Sequence, residues 1–155
     1  MMEEKEKAWK TVSSKYLFRR PWLTVRCEDM LLPNGNHIPE YYILEYPDWV
    51  NTIAITKDGK FVFVRQYRPG LGRTSYELCA GVCDKEDASP LVSAQRELWE
   101  ETGYGKGNWQ EYMVISANPS THTNLTHCFL ATDVEPIDHQ HLEDTEDLSV
   151  HLLTF

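Results

Sequence analysis

The chain has 155 residues, a length that argues for one domain able to bury about 70% of its unfolded surface. It is 41% hydrophobic and 25% charged, which excludes disorder along the whole chain. Asp and Glu number 24 against 15 Lys and Arg, a formal charge of −9, which argues against a generic binder of nucleic-acid phosphates. An anionic substrate would need a cation to offset that charge, and a divalent metal is the first choice.

No apolar run approaches the roughly 20 residues that cross a bilayer, so no membrane partner is expected. The start, Met1-Met2-Glu3-Glu4-Lys5-Glu6-Lys7, has no apolar core of a secretory signal, and the expected compartment is the cytosol. The four cysteines, Cys27, Cys79, Cys83 and Cys128, form no paired CxxC clusters and read as reduced thiols. Residues 1–15 are charged and read as frayed or loosely helical. Short strands around turns follow. Trp22, Thr24 and Arg26, then Met30-Leu31-Leu32, are strand-like; Pro33-Asn34-Gly35-Asn36 is a turn; Tyr41 to Tyr46 is a second strand.

The clearest hairpin joins Asn51–Thr56 to Phe61–Gln66 through Lys57-Asp58-Gly59-Lys60, an Asp-Gly between β-branched and aromatic runs. Arg68-Pro69-Gly70-Leu71-Gly72 reads as a loop. Tyr76 to Cys79 reads as a short strand ending in Ala80-Gly81. A helix begins at Ser89-Pro90 and stops at Gly103: Ser is the N-cap, Pro opens the helix, and Gly follows its end. Further strands are predicted at Glu111–Ser116, Thr126–Thr132 and Leu148–Phe155. Strands interrupted by one strong helix make a mixed α/β domain.

The helix carries the informative segment, Arg96-Glu97-Leu98-Trp99-Glu100-Glu101-Thr102-Gly103. At about 100° per residue, Leu91, Ala94 and Leu98 form one apolar stripe, and Glu97, Glu100 and Glu101 share an arc beside it. Glu97 faces Glu101 at i,i+4 and Glu100 at i,i+3, and each like-charge pair costs a few tenths of a kcal/mol. The glutamates also stand near the C-terminal end, where the helix dipole disfavours anions. Arg96, four residues before Glu100, is placed to orient it. A hard dication would compensate more fully, since Mg²⁺ takes carboxylates together with substrate phosphates.

Here the chain resembles the Nudix hydrolase family, whose signature is Gly, five residues, Glu, seven residues, then Arg-Glu-apolar-x-Glu-Glu-x-Gly-apolar. Arg96 to Tyr104 matches its second half in full, and Gly81 matches its first glycine. Gly81 to Arg96 is 15 steps where the signature has 14, so the intervening loop is one residue longer. The signature's first Glu therefore has no direct counterpart; Glu86 and Asp87 are the nearest acids. Arg65-Gln66-Tyr67-Arg68, Tyr76-Glu77-Leu78-Cys79-Ala80-Gly81 and Pro119, 16 residues past Gly103, resemble the ADP-ribose pyrophosphatase branch. That branch usually has Pro where Cys79 stands.

The resemblance implies an α/β fold: a Nudix-type α/β/α sandwich with a mixed β-sheet, plus N-terminal accessory antiparallel strands. Residues 1–46 would be those strands, serving a homodimer, and 47–155 the Nudix hydrolase domain. It implies Glu97, Glu101, Glu100 and the Ala80 carbonyl as ligands of Mg²⁺ or Mn²⁺, and Arg96 as the orienter of the carboxylates. The general base would come from Glu143-Asp144-Thr145-Glu146-Asp147, with Glu146 first and Glu143 second. Arg68, Glu77, Gly81 and Pro119 fall on substrate-side positions. Arg68 reads as a phosphate or ribose contact, or as a solvated loop arginine. Trp22 reads as a stacking face for adenine reaching across a dimer, or as packing. His122, His127, His139, His141 and His151 are scattered and carry no assigned role. The chain ends at Phe155, inside its last predicted strand, where relatives continue into a helix.

The activity implied is metal-dependent hydrolysis of a nucleoside diphosphate sugar, ADP-ribose first, to AMP and ribose 5-phosphate. Two alternatives stand beside it. One is another nucleotide sugar or a dinucleotide, such as GDP-mannose or NADH. The other is a catalytically inactive Nudix domain used as a ligand sensor; such domains usually lose glutamates that are all present here.

Overall fold

The structure is a computed structural model that describes residues 7–154. It divides into two compact units: residues up to 46 with 117–124, and residues 47–116 with those from 125 onward.

The first unit is an antiparallel meander of β1 (Lys10–Arg20), β2 (Leu23–Leu31) and β3 (His37–Glu45). Residues 10–15 therefore extend rather than fray or coil, because β2 supplies a pairing partner along their whole length, from Lys10 opposite Leu31 to Arg20 opposite Leu23. The rest of the expected loose N-terminus, residues 1–6, lies outside the described residues. Trp22 is not in a strand: it sits in the two-residue turn between β1 and β2 and is 75% exposed. The turn at 33–36 forms as expected, with the Asn36 N–H donating to Asn34 Oδ1 at 2.9 Å and Gly35 at φ 86°. Glu28, on β2, is buried yet satisfied: Arg26 Nε donates to it at 2.7 Å and the Thr11 hydroxyl at 3.2 Å. Arg26 also bonds Glu45, so one guanidinium ties β2 to β3. Residues 117–124 lie along the end of β3, where the Leu44 N–H donates to Thr121 O at 2.8 Å and the Thr123 N–H to Leu44 O at 3.1 Å.

The second unit is built on β4 (Trp49–Thr56), whose burial alternates at every residue so that Val50, Thr52, Ala54 and Thr56 face inward. The turn around Gly59, at φ 78°, returns the chain as β5 (Phe61–Arg68). The expected single strand after the Arg68 loop is two strands, β6 (Arg73–Glu77) and β7 (Cys79–Val82). They separate at Leu78 because their partners differ: β6 pairs with β5, and β7 with β4. After α1 (Pro90–Thr102) come β8 (Tyr104–Gly105), β9 (Asn108–Ile115), β10 (Thr126–Pro136) and β11 (Leu148–Leu153). The sheet runs β11-β5-β4-β10-β8, with β9 on β10. It is mixed, because β10 pairs with β4 in parallel while the other pairs are antiparallel.

Helix α1 packs on this sheet through Ala94 and Leu98, each fully buried, among Val50, Ala54, Val62, Val64, Cys79, Phe129 and Ala131. Burying a leucine of this kind stabilises by about 1.5–3 kcal/mol. Leu91 departs from the expected stripe: it lies in the first turn and is 36% exposed. All four cysteines are free thiols. Among the described residues no helix is long and apolar enough to cross a membrane.

Candidate functional site

The local sequence fixes α1 at both ends. The Ser89 side chain accepts from the Val92 N–H, Pro90 opens the helix, and Gly103 takes the left-handed φ of 73° that closes it, its N–H bonding Trp99 O at 2.8 Å. With both ends fixed, Leu98 enters the core and Glu97, Glu100 and Glu101 are presented beside β7.

Glu101 is the most buried of the three, at 5% exposure. Its Oε2 accepts from the Ala80 N–H at 3.2 Å. Burial, then the charge of Glu97, pushes its carboxyl up to about 8, with Glu146 adding to the rise and Arg68 opposing it. Glu97 is also raised, first by burial; Arg96 works against the rise, and Glu100 and Glu146 add to it. Glu97 also presses on the backbone of β7. A Cβ built on Gly81 would stand 2.0 Å from its Cδ. Only glycine lets that carboxylate lie where it does.

Arg96 gathers the acids. Its Nη1 donates to Glu97 Oε1 at 3.0 Å and to Glu100 Oε2 at 2.9 Å. Its Nη2 donates to Val82 O at 3.1 Å, and Nε and Nη2 reach Asp87 Oδ2 at 3.2 and 3.1 Å. Burial works against the guanidinium charge, but Asp87, Glu100 and Glu97 outweigh it and raise its pKa. One cation thus spans several carboxylates. The remaining negative charge, with oxygen donors alone, suits a hard dication.

These residues, in this order on this fold, decide the family. A profile described as the NUDIX domain matches residues 46–154. The chain belongs to the Nudix family. A second profile, the nucleoside diphosphate sugar hydrolase N-terminal domain, matches residues 9–44. An ADP-ribose pyrophosphatase of Bacillus subtilis is 30% identical over 138 residues, which cover 89% of this chain and 74% of that protein. A methanol dehydrogenase activator of Bacillus methanolicus is 33% identical over 122 residues, 79% of this chain and 65% of that one. The crystal structure of an ADP compounds hydrolase superposes with a TM-score of 0.81 over 94% of this chain and 78% of the other, at 22% identity, a likeness of fold.

In this Nudix hydrolase, the longer loop between Gly81 and Arg96 sets Asp87 to hydrogen-bond the arginine and Asp84 Oδ2 3.3 Å from its Nη2, while Glu86 makes no bond to it among the described contacts. Sequence reading named both acids without choosing, because one added residue shifts the count. Arg68 is not a free loop cation: its Nε and Nη2 hold Glu77 at 3.0 and 2.6 Å. Nine residues separate them, and the β5–β6 pairing brings them together. Glu146 stands near enough to Glu97 and Glu101 for its charge to raise both. Its Oε2 accepts from the Glu143 N–H at 2.9 Å, and its own N–H donates to Glu143 O at 3.0 Å, which closes the acidic turn. Trp22 and Pro119 belong to the other unit. Sequence reading missed the grip on the end of α1: Gln140 Nε2 donates to Glu101 O at 2.7 Å and the His141 N–H to Glu100 O at 2.8 Å.

Proposed function

We propose that this Nudix hydrolase cleaves the diphosphate bond of a nucleoside diphosphate sugar, ADP-ribose first, to give AMP and ribose 5-phosphate. The observation that carries the reading is the full set of three glutamates crowded on α1, with the carboxyl of Glu101 pushed up to about 8. Such crowding is unfavourable unless cations are held there. Glu97, Glu101, Glu100 and the Ala80 carbonyl would hold Mg²⁺ or Mn²⁺. When bound, the ion neutralises phosphate oxygens and makes a coordinated water more acidic.

The chain's own residues do the rest. Arg96, braced by Asp87, keeps Glu97 and Glu100 in place. Glu146, with Glu143 second, takes the proton of the attacking water as its oxygen bonds phosphorus and the bridging P–O bond breaks. Arg68, paired with Glu77, and the close backbone at Gly81 serve the substrate side. The match of residues 9–44 to a nucleoside diphosphate sugar hydrolase segment, and the pyrophosphatase relative, support this substrate class over nucleoside triphosphates.

We assign homodimerisation to the N-terminal strands. Along β1 every residue is exposed, including Val12, Tyr16, Leu17 and Phe18, and Trp22 follows in the turn. An edge strand of 11 residues that exposes four large apolar side chains among its charged and hydroxyl residues is a surface that soluble proteins normally cover.

The deciding experiment is a panel of ADP-ribose, GDP-mannose and NADH, with product analysis in Mg²⁺ and in EDTA. The expected result is fastest turnover of ADP-ribose in Mg²⁺, none in EDTA, and none in Glu101→Gln. Faster turnover of another member reassigns the substrate. Binding without turnover across the panel would point instead to a sensor. Light scattering after gel filtration reads the dimer.

A further inference from the structure

One cluster of ligating side chains lies outside the residues assigned to diphosphate chemistry. Just past β10, Asp138-His139-Gln140-His141 brings a carboxylate and two imidazoles together, with one ligand atom from each lying within 4.8 Å of the others. Asp138 Oδ1 is 2.7 Å from His139 Nδ1, and its Oδ2 is 3.0 Å from His141 Nε2. The two imidazole rings are 4.3 Å apart.

The backbone under this cluster is pinned to the last turn of α1. Ile137 and Asp138 both donate their N–H groups to Gly103 O, at 2.9 and 3.1 Å, and His141 donates to Glu100 O at 2.8 Å. Residue 103 must be glycine here, because a Cβ would come within 2.3 Å of Asp138 O. The His141 ring lies 4.2 Å from the ring of Trp99, which limits its rotation. His139, 79% exposed, remains free to swing toward a common centre.

We propose that Asp138, His139 and His141 bind a divalent transition metal of the zinc class, at a site made of residues that the diphosphate chemistry does not use. The donor set decides the class. Two imidazoles and one carboxylate suit zinc, nickel or copper, whereas Mg²⁺ prefers oxygen alone. Three protein ligands with a fourth position open to water is a common zinc arrangement. Tetrahedral zinc places its donors about 3.3 Å apart, given bonds of about 2.0 Å. The observed spread closes to that value by turning exposed side chains, with no change in the pinned backbone. A metal here fixes the side chains of the segment after β10, whose backbone is already bonded to the end of the helix that bears the three glutamates.

The test is calorimetric titration of the intact protein with Zn²⁺ in excess Mg²⁺. The expected result is one Zn²⁺ equivalent that persists in Glu101→Gln. Its affinity falls more than about tenfold in His139→Ala, since losing even an outer hydrogen-bond partner costs a zinc site that much. His139 is largely exposed, so this variant keeps its fold, as circular dichroism will confirm. Ni²⁺ gives a second readout: it quenches Trp99, seen as the difference between wild type and Trp99→Phe, and His139→Ala removes that difference. The proposal is overturned if no Zn²⁺ binds above the Mg²⁺ background. It is equally overturned if affinity and stoichiometry are unchanged in His139→Ala, or if the bound equivalent disappears in Glu101→Gln instead.

Discussion

The carboxylate of Glu97 occupies the volume that a side chain on residue 81 would fill, with its Cδ 2.0 Å from where the Cβ would stand. A glycine in β7 thereby sets the position of a glutamate in α1. The atoms in the way are the far end of a flexible side chain, so a methyl group at 81 would displace the carboxylate rather than the backbone. Gly81→Ala should therefore fold with little loss of stability and fail in turnover. Misplacing a catalytic group by about 1 Å costs on the order of 10²-fold in rate. Steady-state kinetics beside a thermal melt checks this; a variant that loses stability but keeps kcat would show that Glu97 need not sit against β7.

Glu101 makes stability depend on pH in a direction opposite to most carboxylates. Its carboxyl rises from 4.5 to about 8 in the folded protein. The folded state thus holds a proton that the unfolded chain has released. Its contribution to stability is full below about pH 4.5 and is lost as pH rises toward about 8. Mg²⁺ competes with that proton, so its stabilising effect should grow over the same window. In EDTA, Tm should fall from about pH 5 to about pH 8.5, and Glu101→Gln should flatten the fall. The rise in Tm on adding Mg²⁺ should be larger at the higher pH. Equal Mg²⁺ shifts at both ends of the range would contradict the assignment of Glu101 to the metal.

Asp87 and Glu86 are adjacent acids with different expected weights. Asp87 takes two hydrogen bonds from Arg96 and its side chain is 13% exposed. Removing it leaves a half-buried guanidinium short of a partner. Asp87→Ala should cost about 1–3 kcal/mol and lower kcat/KM through the loosened Glu97 and Glu100. Glu86→Ala should stay within about 0.5 kcal/mol of wild type. Urea melts of the two variants, read together with kcat/KM, separate them.

The parts legible in the sequence were those set by local chemistry. Ser89, Pro90 and Gly103 delimit α1 to the residue because caps and the left-handed φ act within one turn. Asp58-Gly59 marks the β4–β5 hairpin for the same reason. The parts that were not legible depend on partners distant in the chain. Residues 10–15 carry no hydrophobic alternation and are a strand because β2 pairs with them. The break at Leu78 reflects a choice between β5 and β4 as neighbour. Within the site, the shared face of the three glutamates follows from helical spacing and their expected role from the resemblance to the family signature, while the Arg68–Glu77 pair follows from a strand register that the sequence does not print.

Glu146 and Glu143 lie in one acidic turn, and the first is the one proposed as general base. Burial is what chiefly raises Glu97 and Glu101, and the Glu146 charge adds to the rise of both, which places it within electrostatic reach of the carboxylates. The Glu143 N–H, bonded to Glu146 Oε2 at 2.9 Å, helps to hold that side chain. A general base contributes about 10²–10⁴-fold, so Glu146→Gln should lose kcat by that factor with KM nearly unchanged. Glu143→Gln keeps the backbone N–H that Glu146 uses and should stay within about threefold of wild type. Steady-state kinetics of the two variants is the deciding readout: a large loss of kcat in Glu143→Gln, with Glu146→Gln near wild type, would move the proton transfer to Glu143.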